Sequence, residues 1–137
     1  MGYYAHSNES DILILKDRQE ALIEYIKEYY DDDTRIQAAK DIPDLFIEFG
    51  LSAEPNESGD IDAVYFEYQR FINYELETFL NVIAPYVEPG SYMTFCGEDD
   101  CLWAYYFDGL GYKEYGGHIE FPGMPMEGPK RKGEMTA

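Results

Sequence analysis

The chain has 137 residues, room for one domain with one hydrophobic core, and its net charge of −18 comes from 28 acidic residues against 10 basic ones. That charge argues against direct binding to nucleic acid or to anionic membrane, both of which need a basic patch. The 14 Tyr and 8 Phe argue against a disordered acidic chain, because such chains lack large apolar side chains whose burial, at about 25 cal/mol per Å², offsets the entropy of ordering.

Residues 3–15 read as extended structure, with Ile12-Leu13-Ile14-Leu15 as a short buried strand after a break at Asn8-Glu9-Ser10. Asp17 reads as an N-cap and Glu20 as its capping-box partner, opening a helix over 18–30. Leu22, Ile26 and Tyr29 recur there at helical spacing, and Asp31-Asp32-Asp33 ends it. Residues 34–40 are ambiguous. Asp41 as cap, Pro43 in the first turn and Gly50 beyond the end frame a second, short helix with Leu45, Phe46 and Phe49 as its apolar stripe.

Residues 51–54, 56–60 and 61–70 read as strand, turn and strand. The second arm carries apolar residues on both faces, which is the pattern of a central strand. A third helix spans 75–86, closed by Pro85 and then Pro89-Gly90. The chain then becomes a meander over 91–96, 101–107 and 112–115, with turns at Gly97-Glu98-Asp99-Asp100 and Asp108-Gly109-Leu110-Gly111. Residues 118–121 extend it.

This order, β-α-α-β-β-α-β-β-β, predicts an α+β fold: a largely antiparallel sheet with about three helices packed on one face. Residues 1–121 form a single acidic domain in this reading, and the Pro-, Gly- and Met-rich residues 122–137 form a disordered tail. The opening residues have neither a cationic start nor an apolar stretch, and no apolar run approaches 18 residues, so the expected location is cytoplasmic.

Without the tail the chain holds 26 acids and 7 bases. Self-repulsion on this scale lowers stability, and its natural complement is a basic partner protein. The candidate partner-binding residues are Glu20, Glu24 and Glu28, the triplet Asp31, Asp32 and Asp33, and the turn acids Glu98, Asp99 and Asp100. Glu20, Glu24 and Glu28 lie at i, i+4 and i+8, away from Leu22 and Ile26. Carboxylates spaced about 6 Å along a helix approximate the phosphate spacing of a nucleic-acid strand. The same residues also fit an ordinary solvated helix face, with Lys27 near Asp31 and Arg18 close by.

Cys96 and Cys101 flank a four-residue turn, where facing strands would allow a disulfide, although a cytoplasmic setting favours free thiols. With His6 and His118 they are the minimum for a zinc site, but C-x4-C without closely spaced His is a weak signal. Asn56, Ser58, Asp60, Asp62 and Glu67 echo a calcium loop, yet Ile61 stands where the bend requires Gly. The expected metal and cofactor set is therefore none. No nucleophile elbow, phosphate loop, zinc-protease or dinucleotide motif is present in the sequence, so no catalytic residue is assigned and an enzyme is not expected.

The segment Ile83-Ala84-Pro85-Tyr86-Val87-Glu88-Pro89-Gly90-Ser91-Tyr92, followed by Gly97-Glu98-Asp99 and Trp103-Ala104-Tyr105-Tyr106-Phe107, resembles small acidic proteins of bacterial phages and mobile elements. Their pattern is IAPYV-x-x-GSY, then GED, then W-x-Y-x-F, and the resemblance covers roughly residues 10–115. It implies no chemistry and carries over no catalytic residue. What it implies is a setting in which small acidic proteins inhibit host defence nucleases. The expected function is therefore an acidic protein-binding inhibitor or adaptor, of the nucleic-acid-mimic kind, acting on a basic nuclease or other nucleic-acid-binding protein. The alternatives are an immunity-type protein that neutralises a basic toxin and a small metal-binding protein.

Overall fold

The computed structural model describes residues 3–117; His118, the strand extension expected over 118–121 and the tail expected over 122–137 lie outside the described residues. The described residues form a mixed α+β fold with four α-helices, and every strand pairing among them is antiparallel. No helix among the described residues is long and apolar enough to cross a membrane.

The first strand, β1, is Tyr4–Asp11 rather than Ile12–Leu15. Asn8-Glu9-Ser10 does not break it. The ladder to β5 (Tyr92–Gly97) pairs Ser7 with Phe95 and Glu9 with Thr94, so Asn8 is the extra residue of a β-bulge. Ile12 and Ile14 are buried as expected, but in the corner after the strand. Ile14 there exchanges backbone hydrogen bonds of 2.8 and 2.9 Å with Ile61.

Helix α1 (Lys16–Tyr29) begins two residues before the expected start, and the expected Asp17 cap does not form. The N-cap is Leu15, and the side chain of Asp60, far along the chain, accepts the Lys16 N–H at 2.7 Å. With that donor satisfied from outside, Asp17 sits in the first turn, where its charge suits the helix dipole. Leu22 and Ile26 face the core.

A further short helix, α2 (Thr34–Ala38), occupies the segment that was ambiguous in sequence. At five residues with only Ile36 buried, it is too short to show a period. Helix α3 (Ile42–Ile47) follows expectation: Asp41 accepts the Asp44 N–H at 3.0 Å, Pro43 lies in the first turn, and Gly50 just beyond has φ +81°.

Strands β2 (Leu51–Pro55) and β3 (Ile61–Phe66) form a separate two-stranded hairpin. The expected central strand over 61–70 is therefore corrected. It ends at Phe66, and β4 (Gln69–Arg70) crosses to pair with Tyr4 and Ala5 of β1. The free side of β3 is joined to β1 by side chains: Ser10 Oγ donates to the Val64 carbonyl at 2.6 Å, and Ser7 Oγ accepts the Phe66 N–H at 2.9 Å. Ile61, Val64 and Phe66 are buried whereas Tyr65 and Tyr68 are exposed, so the apolar residues on both faces do not mark a strand flanked on both sides. In the Asn56–Asp60 turn, Asn56 Oδ1 accepts from Ser58 N and Asp60 N.

Helix α4 (Asn73–Ile83) continues as a 3-10 turn, Ala84–Tyr86, at Pro85. The meander β5, β6 (Leu102–Phe107) and β7 (Tyr112–Gly117) then forms as expected, and the main sheet has the order β4-β1-β5-β6-β7. The element order thus differs from the expected one by the added α2 and β4. Alternation turns Phe95, Trp103, Tyr105 and Phe107 to one face, where Phe95 stacks on Trp103 and meets Phe66 and Phe71 at 5.6 Å. Phe79 of α4 stacks on Phe49 at 3.9 Å and meets Phe46 edge-on. Such ring pairs add about 0.5–1.5 kcal/mol each beyond their area.

Candidate functional site

Glu20, Glu24 and Glu28 are all exposed along α1, and among the described residues none has a salt-bridge partner. Two of the basic residues that share the helix, Lys27 and Arg18, are engaged elsewhere. Lys27 Nζ donates to the Gln37 carbonyl at 3.1 Å instead of pairing with Asp31. Arg18 donates to the Pro85 carbonyl at 3.0 Å and lies 5.6 Å from the centroid of the Tyr86 ring. The row therefore forms no ion pair among the described residues, and each like-charge neighbour at this spacing costs the helix a few tenths of a kcal/mol.

The row runs toward the corner between α1 and α2. Gln37 closes that corner by donating its amide to the Lys27 and Tyr30 carbonyls at 2.8 and 3.0 Å, which caps the end of α1 from α2. Asp31 and Asp32 stand exposed in the turn. Asp33, also exposed, caps α2: its Oδ1 accepts from Arg35 N and Ile36 N at 3.0 and 3.1 Å, and Oδ2 is left over.

Beside this corner opens a groove of about 690 Å³. Its walls include Tyr29 and Tyr30 from α1, Asp32 and Asp33 from the turn, Glu48 and Phe49 after α3, and Tyr74 and Glu75 at the start of α4. Tyr29 meets Tyr30 edge-on at 4.9 Å, and Tyr30 meets Phe49 at 5.2 Å. Arg35 is the one basic residue among the described residues of the lining, and its guanidinium reaches Glu48 at 3.9 Å while remaining largely exposed. An ion pair that open contributes about 0–1 kcal/mol. The Tyr30 hydroxyl is buried without a hydrogen-bond partner, a standing cost of about 1–3 kcal/mol. Desolvation pushes its pKa up to about 12, with Tyr29, Tyr74 and Glu75 adding to the shift.

Glu98, Asp99 and Asp100 are exposed but belong to a turn tied to the start of β1. Glu98 accepts the Tyr4 N–H at 2.7 Å, and Asp99 accepts the Tyr3 hydroxyl at 2.5 Å. The Tyr3 bond is the largest cause holding the Asp99 carboxyl below its ordinary pKa. Asp100 takes φ +66°, a left-handed conformation that Asp tolerates. Two of these three acids therefore serve the fold. Cys96 pairs with Leu102 in the ladder, so it does not face Cys101, and both thiols are free. Among the described residues no group of three or more His, Cys, Asp or Glu is placed to hold a metal ion.

Sequence reasoning missed both the groove and a buried polar chain. Tyr105, fully buried on β6, accepts the Trp103 Nε1–H at 3.1 Å and donates to Glu77 Oε2 of α4 at 3.1 Å. Desolvation, then Glu77, raises the Tyr105 phenol far above its ordinary pKa. Glu77 among apolar neighbours on a helix was the one signal in the sequence that could have pointed there. Comparison with protein-family models, with curated proteins and with solved structures finds no match to this chain.

Proposed function

We propose that the chain is an acidic binding protein, an inhibitor or adaptor whose α1 face engages a basic protein such as a nuclease or another nucleic-acid-binding protein. What supports the reading is the exposed row Glu20, Glu24 and Glu28, continued by Asp31 and Asp32, which forms no ion pair among the described residues while Arg18 and Lys27 bind backbone carbonyls. An anionic band of this kind complements a cationic groove and speeds encounter. The resemblance to proteins of phages and mobile elements makes a host defence nuclease the first target to try.

The test is affinity capture from bacterial extract, comparing the wild-type chain with the Glu20→Gln, Glu24→Gln, Glu28→Gln variant. The wild type should retain one or a few basic proteins at low salt and release them as salt shortens the screening length toward about 8 Å. The triple variant, shown by circular dichroism to be folded, should lose them. Equal recovery by both proteins would end the proposal.

A further inference from the structure

We infer that the groove at the α1–α2 corner is a receptor for an arginine side chain of the partner protein. The inference rests on the proposed function and assigns the contact on which it turns. Among the described residues four carboxylates line the groove, those of Asp32, Asp33, Glu48 and Glu75, against the single guanidinium of Arg35. Arg35 extends along the rim to Glu48 and leaves Asp32, Glu75 and Asp33 Oδ2 for a second cation.

The walls choose the kind of cation. Tyr29, Tyr30, Phe49 and Tyr74 present aromatic surface to the same space as the carboxylates. A planar, weakly hydrated guanidinium stacks on rings and donates to carboxylates in a fork, whereas a compact ammonium keeps its water more strongly. Tyr29 and Tyr74 are 54% and 79% exposed, so the rings that would clasp a ligand stand open to an incoming side chain.

The experiment titrates the isotopically labelled full chain with the blocked peptide acetyl-Gly-Arg-Gly-amide and with its lysine and citrulline counterparts, followed by amide chemical shifts. Saturable shifts at Tyr29, Tyr30, Asp32 and Tyr74 are expected, with arginine binding tightest, lysine weaker and uncharged citrulline weakest. Tyr74→Ala, at a position too exposed to disturb the core, should weaken the arginine peptide roughly 2- to 5-fold, the factor that an exposed cation–aromatic contact supplies. Glu75→Gln should weaken it as well. Shifts that never saturate, a citrulline peptide that binds equally, a lysine peptide that binds as tightly as arginine, or an unchanged affinity in Tyr74→Ala would each overturn the inference. The proposed function fails by a different result, retention of partner proteins by the Glu20, Glu24, Glu28 variant, so the two are separable.

Discussion

Replacing Tyr105 by Phe removes one oxygen from the middle of the structure and leaves its shape unchanged. That oxygen accepts from the indole of Trp103 and donates to the carboxylate of Glu77, each at 3.1 Å, from a fully buried ring. A hydrogen bond to a charged group is worth about 1.5–3 kcal/mol, and a carboxylate deprived of its donor adds desolvation cost. Two features moderate the loss. Trp103 is only partly buried, so water can take its N–H, and Glu77 has other interactions. The expected destabilisation is about 2 kcal/mol, or roughly 6 °C in Tm for a chain of this size. Urea unfolding measures it twice, by circular dichroism for the whole chain and by the fluorescence of Trp103, the single tryptophan. The midpoint should fall without a change in slope, since the surface exposed on unfolding is nearly the same. Glu77→Gln combined with Tyr105→Phe should cost less than the two changes summed, because they break one bond. Stability of Tyr105→Phe within about 0.5 kcal/mol of wild type would refute the buried chain as drawn.

Asp60→Ala should cost about 1 kcal/mol, the usual worth of a helix cap, because it frees the Lys16 N–H at the start of α1; a variant as stable as wild type in urea would show that the distant cap contributes nothing. Alkaline pH should destabilise the protein. The phenols of Tyr30 and Tyr112 are pushed up to about 12 and that of Tyr105 higher, chiefly by desolvation, from an ordinary 10.0. The unfolded chain therefore releases protons that the folded chain keeps, so this stability is intact below about pH 10 and declines toward pH 12 as the folded phenols titrate. A urea midpoint that stays level across that interval, or phenolate absorbance from these rings before unfolding, would contradict it.

In the proposed mode of binding, the acidic row and the groove would divide the work in physically different ways. Long-range attraction from Glu20, Glu24 and Glu28 is nonspecific in geometry and is screened by salt. A ring-walled groove acts only at contact, so it affects the rate of leaving more than the rate of arrival. A partner held by both should keep its salt-dependent association when Tyr74 is changed but dissociate sooner.

Whatever depends on neighbours in the chain was legible before the fold was known. The meander over β5, β6 and β7 announced itself through two turns and period-2 alternation, and α3 through Asp41, Pro43 and Gly50, each acting within a few residues. The exposed acid row was legible too, since helical spacing alone separates Glu20, Glu24 and Glu28 from Leu22 and Ile26. The tertiary structure decided what those local signals do not reach. It replaced Asp17 by Asp60 as the group meeting the first turn of α1, and it used Ser7 and Ser10 in place of a strand beside β3. It also gathered Tyr29, Asp32, Glu48 and Tyr74, from three separate stretches of chain, around one groove. Hydrogen-bonding groups and ring faces carry no address in the sequence: which donor meets which acceptor across 40 or more residues follows from how the whole core packs.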